Sequence, residues 1–309
     1  MDAKTQLSPC TRVRRSAAFA AGCALAISIG CRLPCYDGPS AKNVLASRQL
    51  VQQGMREIER GEWKGAEQHF ATAVKQCPAD HEAHRLYAET LWKAGRQQEA
   101  LVEINEALRI AGDDEQSLVR HAEMRLARSE FEQALDAARR ALDVNPQSAD
   151  AWAVRGKIWQ TSGDLSRAAA DFHQSLGIEP ARRDALVALA EIYRCQSEPQ
   201  RALANLRALA ETYPVDEVPR EVLEQQAQAL LALNRPADAA EQLAVACRRG
   251  APALPLWLAM ADCQLQAGQT QAALVTLDQA QAFWPGSPEV AQQAANLNRN
   301  PRTLLTSRP

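Results

Sequence analysis

The sequence predicts an all-α solenoid of about seven helix–turn–helix units stacked side by side and closed by one further helix. Three observations carry this. Small, large apolar and Pro residues recur at the same places of a 34-residue frame from residue 47 onward. Aromatic residues make up only 5% of the 309 positions, while alanine is abundant; so small a vocabulary suits close helix packing, whereas strands favour β-branched and aromatic residues. The charge is nearly balanced, with 35 Lys or Arg against 37 Asp or Glu and no basic run, which argues against nucleic acid as a partner. A mean hydropathy of −0.34 excludes a polytopic membrane protein.

The first 30 residues stand apart. Arg12, Arg14 and Arg15 form a basic flank, and Ser16 to Gly30 run without a charge. A basic segment before 7–15 apolar residues is the pattern of an export signal, and it is short for a membrane-spanning helix of ~20 residues. Cys31 follows Ser28-Ile29-Gly30, which resembles the lipobox of bacterial lipoproteins, with Ser28 where that family usually has Leu. The resemblance implies cleavage before Cys31, lipid on its thiol, and a protein anchored in the bacterial cell envelope. The alternatives are an exported soluble protein and a single-pass anchor. Loss of residues 1–30 removes four basic and one acidic residue, so the remainder carries −5. Residues 31–46 hold two Pro and a Gly without a helical period and read as a tether.

The repeating units follow in register over 47–80, 81–114, 115–148, 149–182 and 183–216. Glu217-Val218-Pro219 is then inserted, and the frame resumes over 220–253 and 254–287. The clearest copy has Trp152, Gly156, Trp159, Gly163, Ala168, Phe172 and Pro180 at positions 4, 8, 11, 15, 20, 24 and 32. This spacing resembles the tetratricopeptide repeat, and the resemblance implies a right-handed superhelix whose concave face serves protein–protein interaction. Positions 8 and 20 read as the crossing point of the two helices, where only Gly or Ala lets backbones approach. Position 15 ends the first helix, where Gly or Asn adopts the left-handed conformation; Ser129 and Ser197 stand there in two units. Pro at position 32 ends the second helix. Trp152, Trp159, Phe70 and Phe172 read as core. Ser287-Pro288 signals the start of a capping helix over 288–298, and 299–309 reads as a loose tail.

Catalytic signatures are absent: no G-x-G-x-x-G, P-loop or G-x-S-x-G occurs. His81-Glu82-Ala83-His84 lacks the i, i+4 spacing of H-E-x-x-H, and His84 falls on core position 4, so both histidines read as ordinary repeat residues. No C-x-x-C is present. Cys247 and Cys263 would be offset by roughly 7 Å along neighbouring helices at 1.5 Å per residue, too far for a bridge whose Cβ atoms want ~4 Å. No cofactor, metal or small-molecule substrate is expected, and the protein reads as a non-enzyme.

In the tetratricopeptide family, positions 2, 5, 9, 12 and 13 of the first helix line the concave face. Carried over, these positions give Met55, Ile58, Glu82, Arg85, Glu89, Trp92, Glu123, Leu126, Lys157, Glu191 and Arg194 as candidate partner-binding residues, with Asp150, Asp184, Asp262 and Lys93 among the other charged members. Acidic members exceed basic ones by about five over all units. The family members that clamp C-terminal carboxylates carry Lys at position 5 and Asn at position 9, and both are absent here. The expected ligand is therefore an extended or helical segment with spaced basic and apolar residues, anchored on Trp92. The alternatives are self-association and docking of an enzyme made by another chain.

Overall fold

The computed structural model describes residues 41–299. The described residues form fifteen α-helices, one 3₁₀ turn and no strand. Seven antiparallel pairs follow one another: α1 (Ala41–Glu59) with α2 (Trp63–Gln76), α3 (His81–Lys93) with α4 (Gln97–Ala111), α5 (Glu115–Ala127) with α6 (Phe131–Val144), and α7 (Ala149–Thr161) with α8 (Leu165–Ile178). Then come α9 (Arg183–Cys195) with α10 (Pro199–Glu211), α11 (Arg220–Ala232) with α12 (Pro236–Cys247), and α13 (Leu254–Gln266) with α14 (Thr270–Phe283). The closing helix α15 (Pro288–Arg299) lies against α14. Each pair packs on the next, so the core is a seam along the array rather than one centre. The molecule is an α-solenoid.

The helix ends follow from local chemistry. Asp80, Asp114 and Ser148 cap α3, α5 and α7 by accepting from the amides of Ala83, Ser117 and Ala151 at 3.2, 2.9 and 3.1 Å, which satisfies donors a helix start leaves free. At the other end, position 15 takes positive φ in all seven units, from Asn234 at 56° to Gly163 at 89°. Ser129 and Ser197 do so despite their side chains, at 60° and 58°. In each case the next amide reaches back five residues, as Glu62 N does to the Glu57 carbonyl at 2.8 Å, closing a Schellman turn.

Position 8 is governed by the residue at position 24 as much as by the backbone crossing. Gly54 and Gly156 lie against the buried rings of Phe70 and Phe172. Where Ala stands instead (Ala88, Ala122, Ala190, Ala227, Ala261), the partner is Ile104, Ala138, Leu206, Leu243 or Leu277. Trp152 and Trp159 are only half-buried, each under an arginine (Arg155 and Arg167) 4.6 Å from the ring centre; their outer faces are finished by guanidinium groups rather than by core.

The 3₁₀ turn Val215–Glu217 leads into the inserted Glu217-Val218-Pro219, and two arginines hold this segment. Arg249 donates to the carbonyls of Val218 and Val215, and Arg220 returns to those of Arg249 and Ala251. The array changes here. The first helices of neighbouring units touch from α1 to α3, α3 to α5, α5 to α7 and α7 to α9, but α9 and α11, like α11 and α13, do not approach as closely.

One expectation is corrected: the tether of 31–46 ends early, because α1 already begins at Ala41. Just after this added stretch Ser47 is buried and its hydroxyl donates to Asp80 at 2.7 Å. Cys77, Cys195, Cys247 and Cys263 are free thiols. The leader 1–30, Cys31 and residues 300–309 of the tail lie outside the described residues. No helix among the described residues is long and apolar enough to cross a membrane.

Candidate functional site

The first helices of each pair, which line the concave face in tetratricopeptide repeats, carry clefts of two kinds in the two halves of the array. In the N-terminal half, Trp63 at the start of α2 and Trp92 near the end of α3 flank a cleft of about 250 Å³ with Glu89, Lys93, Arg120 and Glu123. Lys93 Nζ lies 4.6 Å from the centre of the Trp63 ring. Glu89 accepts from Arg85 at 3.1 Å and from Arg120 at 3.0 Å, and Arg120 also donates to Glu123 at 2.7 Å. This lattice ties α3 to α5, and the indoles of Trp63, under Lys93, and Trp92 supply the cleft's apolar surface.

The C-terminal half carries its cavities beside α11. A cavity of about 400 Å³ lies between α9, α10 and α11, floored by Ala190, Ala202, Leu206 and Ala229. On the other flank of α11, a second cavity of about 390 Å³ is walled by Leu231, Leu243, Leu256 and Ala259. Gln228 lines both. At the rim of the first, Arg194 donates to Glu191 at 2.5 Å, and that hydrogen bond holds the Glu191 carboxyl below the usual carboxylate range.

The structure sorts the candidate residues. Glu89, Trp92 and Glu123 meet in the first cleft, with Arg85 behind Glu89, and Glu191 and Arg194 border the first C-terminal cavity. Met55, Glu82 and Lys157 are exposed and line none of these cavities. Ile58 and Leu126 are half-buried against the core, so most of their apolar surface is spent within the array.

The acidic excess is also smaller than the five positions suggest. Arg120, at position 6, pairs with Glu89 and Glu123 and offsets one of those charges, and Arg182, at position 34, pairs with Asp150 at 2.6 Å and Asp184 at 2.8 Å. Trp63 and Arg120 escaped the sequence reading because they sit outside the five positions. Arg120 three residues before Glu123 was the available signal, since i, i+3 pairs meet on a helix. Among the described residues no group of three His, Cys, Asp or Glu side chains gathers to hold a metal ion.

No curated protein matches the sequence. Among solved structures, a tetratricopeptide repeat protein of Parabacteroides merdae is 19% identical, with a TM-score of 0.51 over 83% of this chain and 100% of that one. Pseudomonas aeruginosa pilF is 16% identical, with a TM-score of 0.60 over 67% of this chain and 93% of that one. YrrB, described as a TPR protein with an unusual peptide-binding site, is 19% identical, with a TM-score of 0.52 over 63% of this chain and 98% of that one. These likenesses concern the fold. The sequence pattern of the tetratricopeptide repeat itself matches residues 51–115, 119–176 and 224–288, more than half of the chain. With that pattern running through its helix pairs and its left-handed turns, the chain belongs to the tetratricopeptide repeat family.

Proposed function

We propose that the protein is a non-enzymatic interaction scaffold, tethered to a membrane of the bacterial cell envelope through lipid on Cys31, that binds partner proteins or peptides along its concave face. The observation that carries the reading is the groove itself: clefts with apolar walls at Trp63–Trp92 and beside α11, where Glu89, Glu123 and Glu191 are paired within the array and Glu224 and Lys93 have no ion-pair partner. Such a surface offers apolar anchors for affinity beside a small number of charges for orientation. A fold neighbour described as having a peptide-binding site accords with this use of the groove. The tether rests on the leader pattern and on Cys31.

The test is affinity capture from detergent-solubilised envelopes with the wild-type chain and its groove variants, alongside fractionation of Cys31→Ser. A partner retained by the wild type and lost by a groove variant supports the scaffold reading. Movement of Cys31→Ser to the soluble fraction supports the anchor, because stable attachment needs the several acyl chains that a bacterial lipoprotein carries. Membrane retention of that variant at unchanged mass would favour an uncleaved apolar segment instead.

One observation favours a second reading, self-association. Phe283 is 55% exposed beside Trp257 and Trp284, with ring centres 5.6 and 5.8 Å away. Residues 251–298 contain no Lys or Arg, and interface cores are depleted of charge and enriched in aromatics. Light scattering at micromolar concentration decides it: a monomer removes this reading.

A further inference from the structure

The proposed function hangs the array from a lipid and leaves open how the array lies on the membrane. The first helix pair bears on this. Six of its basic side chains, Lys42, Arg48, Arg56, Arg60, Lys64 and Lys75, are exposed and form neither ion pair nor hydrogen bond with a described residue. Its free carboxylates are two, Glu59 and Glu62, since Glu57 is held by His69 and Glu67 by Arg96. Among the described residues each later pair leaves at most one Lys or Arg in that state. The others are taken up by carboxylates, by main-chain carbonyls or by Thr212.

Half of these cations share one side of α1. The helix packs on α2 and α3 and buries Ser47, Val51 and Gly54 toward them. On the opposite side Lys42, Leu45, Gln49, Gln52 and Arg56 follow at steps of three and four, with Arg60 in the turn just after. All of them are exposed, Leu45 to 60%. The far end of the array is the reverse, for residues 251–298 carry Asp262, Asp278 and Glu289 but no Lys or Arg.

Chain length brings this face to a membrane. Ala41 stands ten residues after Cys31, and a ten-residue chain spans at most about 35 Å. With 19 residues α1 is about 28 Å long, so its whole outer side fits on a surface within that reach. An anionic lipid surface binds a protein about fivefold tighter for each Lys or Arg brought to it. An apolar side chain set among such cations adds to the contact by entering the headgroup boundary. An acidic protein would offer the same charge, but the tether fixes the membrane beside α1, and that effective concentration favours the lipid.

We infer that the outer side of α1 lies on anionic phospholipid headgroups, with Leu45 entering the interface and the acidic C-terminal end directed away from the membrane. The inference rests on the reading that Cys31 carries lipid, and it makes the membrane surface a ligand of the first pair as well as the place of attachment. The test follows amine acetylation by mass spectrometry on the full chain, reconstituted into vesicles of phosphatidylcholine or of its mixture with phosphatidylglycerol. Lys42 reports the face, and Lys157, exposed on α7, is the internal reference. Relative to Lys157, Lys42 should react about threefold or more slowly on the anionic vesicles than on the neutral ones. The difference should vanish at about 1 M salt, where screening acts within about 3 Å. Arg56→Glu combined with Arg60→Glu should abolish it, and Leu45→Ser should weaken it, with circular dichroism checking each fold.

Equal rates on both vesicles, or protection that survives high salt, would overturn the inference. So would protection that the paired reversal leaves unchanged, because Lys42 would then be near the lipid through the tether alone. The anchor is read separately, from the intact mass of the chain. If lipid is found on Cys31 and Lys42 is unprotected, the anchor stands and the contact of α1 falls. If lipid is absent, the anchor reading falls, and the same comparison with the chain added to preformed vesicles decides α1: salt-sensitive protection upholds the contact, and its absence overturns it.

Discussion

Gly54 and the ring of Phe70 compete for one volume: a Cβ on Gly54 would lie 2.7 Å from Cε1 of Phe70, closer than carbon atoms sit without displacement. The ring is fully buried and has nowhere to go. Gly156 faces Phe172 in the same way, with the nearest ring carbon at 3.1 Å.

Gly54→Ala should therefore destabilise the first unit. The added methyl costs about 1–3 kcal/mol of overpacking, against which about 1 kcal/mol is returned by the better helix propensity of Ala. Combining Gly54→Ala with Phe70→Leu recreates the Ala–Leu pairing of Ala190 with Leu206, so the double variant should lose less than the sum of the singles by about 1 kcal/mol. Urea melts of the four proteins check this. Additive losses would show that the ring and the glycine do not share the constraint. Gly156→Ala should cost less, because its clash is milder.

Ser129→Gly should stabilise the protein by about 0.5–1 kcal/mol. Ser129 is held at φ 60°, where an L-residue with a Cβ pays about 1 kcal/mol and glycine pays little. Its Oγ is exposed and outside any capping role in this turn. A thermal melt with a midpoint unchanged or lowered would show that the serine relieves the strain in some other way.

Two histidines should tilt stability with pH in opposite directions. His121 is held down to about 4 by burial, then by Arg125 and Arg140, and its Nε2 accepts from Arg125 Nε at 2.9 Å. The unfolded chain takes that proton near 6.5 while the folded one refuses it, so stability falls as pH drops from about 6.5 toward 4. The loss is on the order of 1–3 kcal/mol, and His121→Gln should remove it. At His84 burial opposes the charge, but the Glu103 hydrogen bond at 2.7 Å and its carboxylate outweigh burial and raise the pKa above 6.5. That contribution is complete below 6.5 and is lost as pH rises through the raised value. His84→Gln should therefore cost more at pH 5.5 than at pH 9. Denaturation curves across that range check both signs.

Trp92→Ala should weaken capture of the envelope partner by about 1–3 kcal/mol while leaving the helical dichroism intact. Trp92 is half-buried and lines the cleft opposite Trp63, so truncation empties a binding wall rather than the core. Trp63→Ala should act in the same direction, and a double variant no worse than either single would show that the two rings act as one site. Unchanged capture by both would move the search to the convex face.

The repeat was legible in the sequence because its determinants act over a few residues. A left-handed residue at position 15, small residues at positions 8 and 20, and a Pro past the second helix each act locally, so a 34-residue ruler finds them. Even Ser129 and Ser197, which break the residue rule, keep its backbone geometry. The start of α1 was less legible, since Pro34 and Pro39 with Gly38 suggested a tether running to residue 46, whereas α1 begins at Ala41.

By itself, the amino-acid order determined the helix pairs, their turns and the family, because backbone preference and hydrophobic period are local. The tertiary structure alone decided which groove charges remain available. Arg120 reaches Glu89 across 31 positions and Arg182 reaches Asp150 across two helices, and such pairings depend on how units stack. It likewise brought Trp63 to Trp92 and opened the cavities around α11. Both depend on the spacing between neighbouring units, a quantity that packing sets and no single repeat encodes.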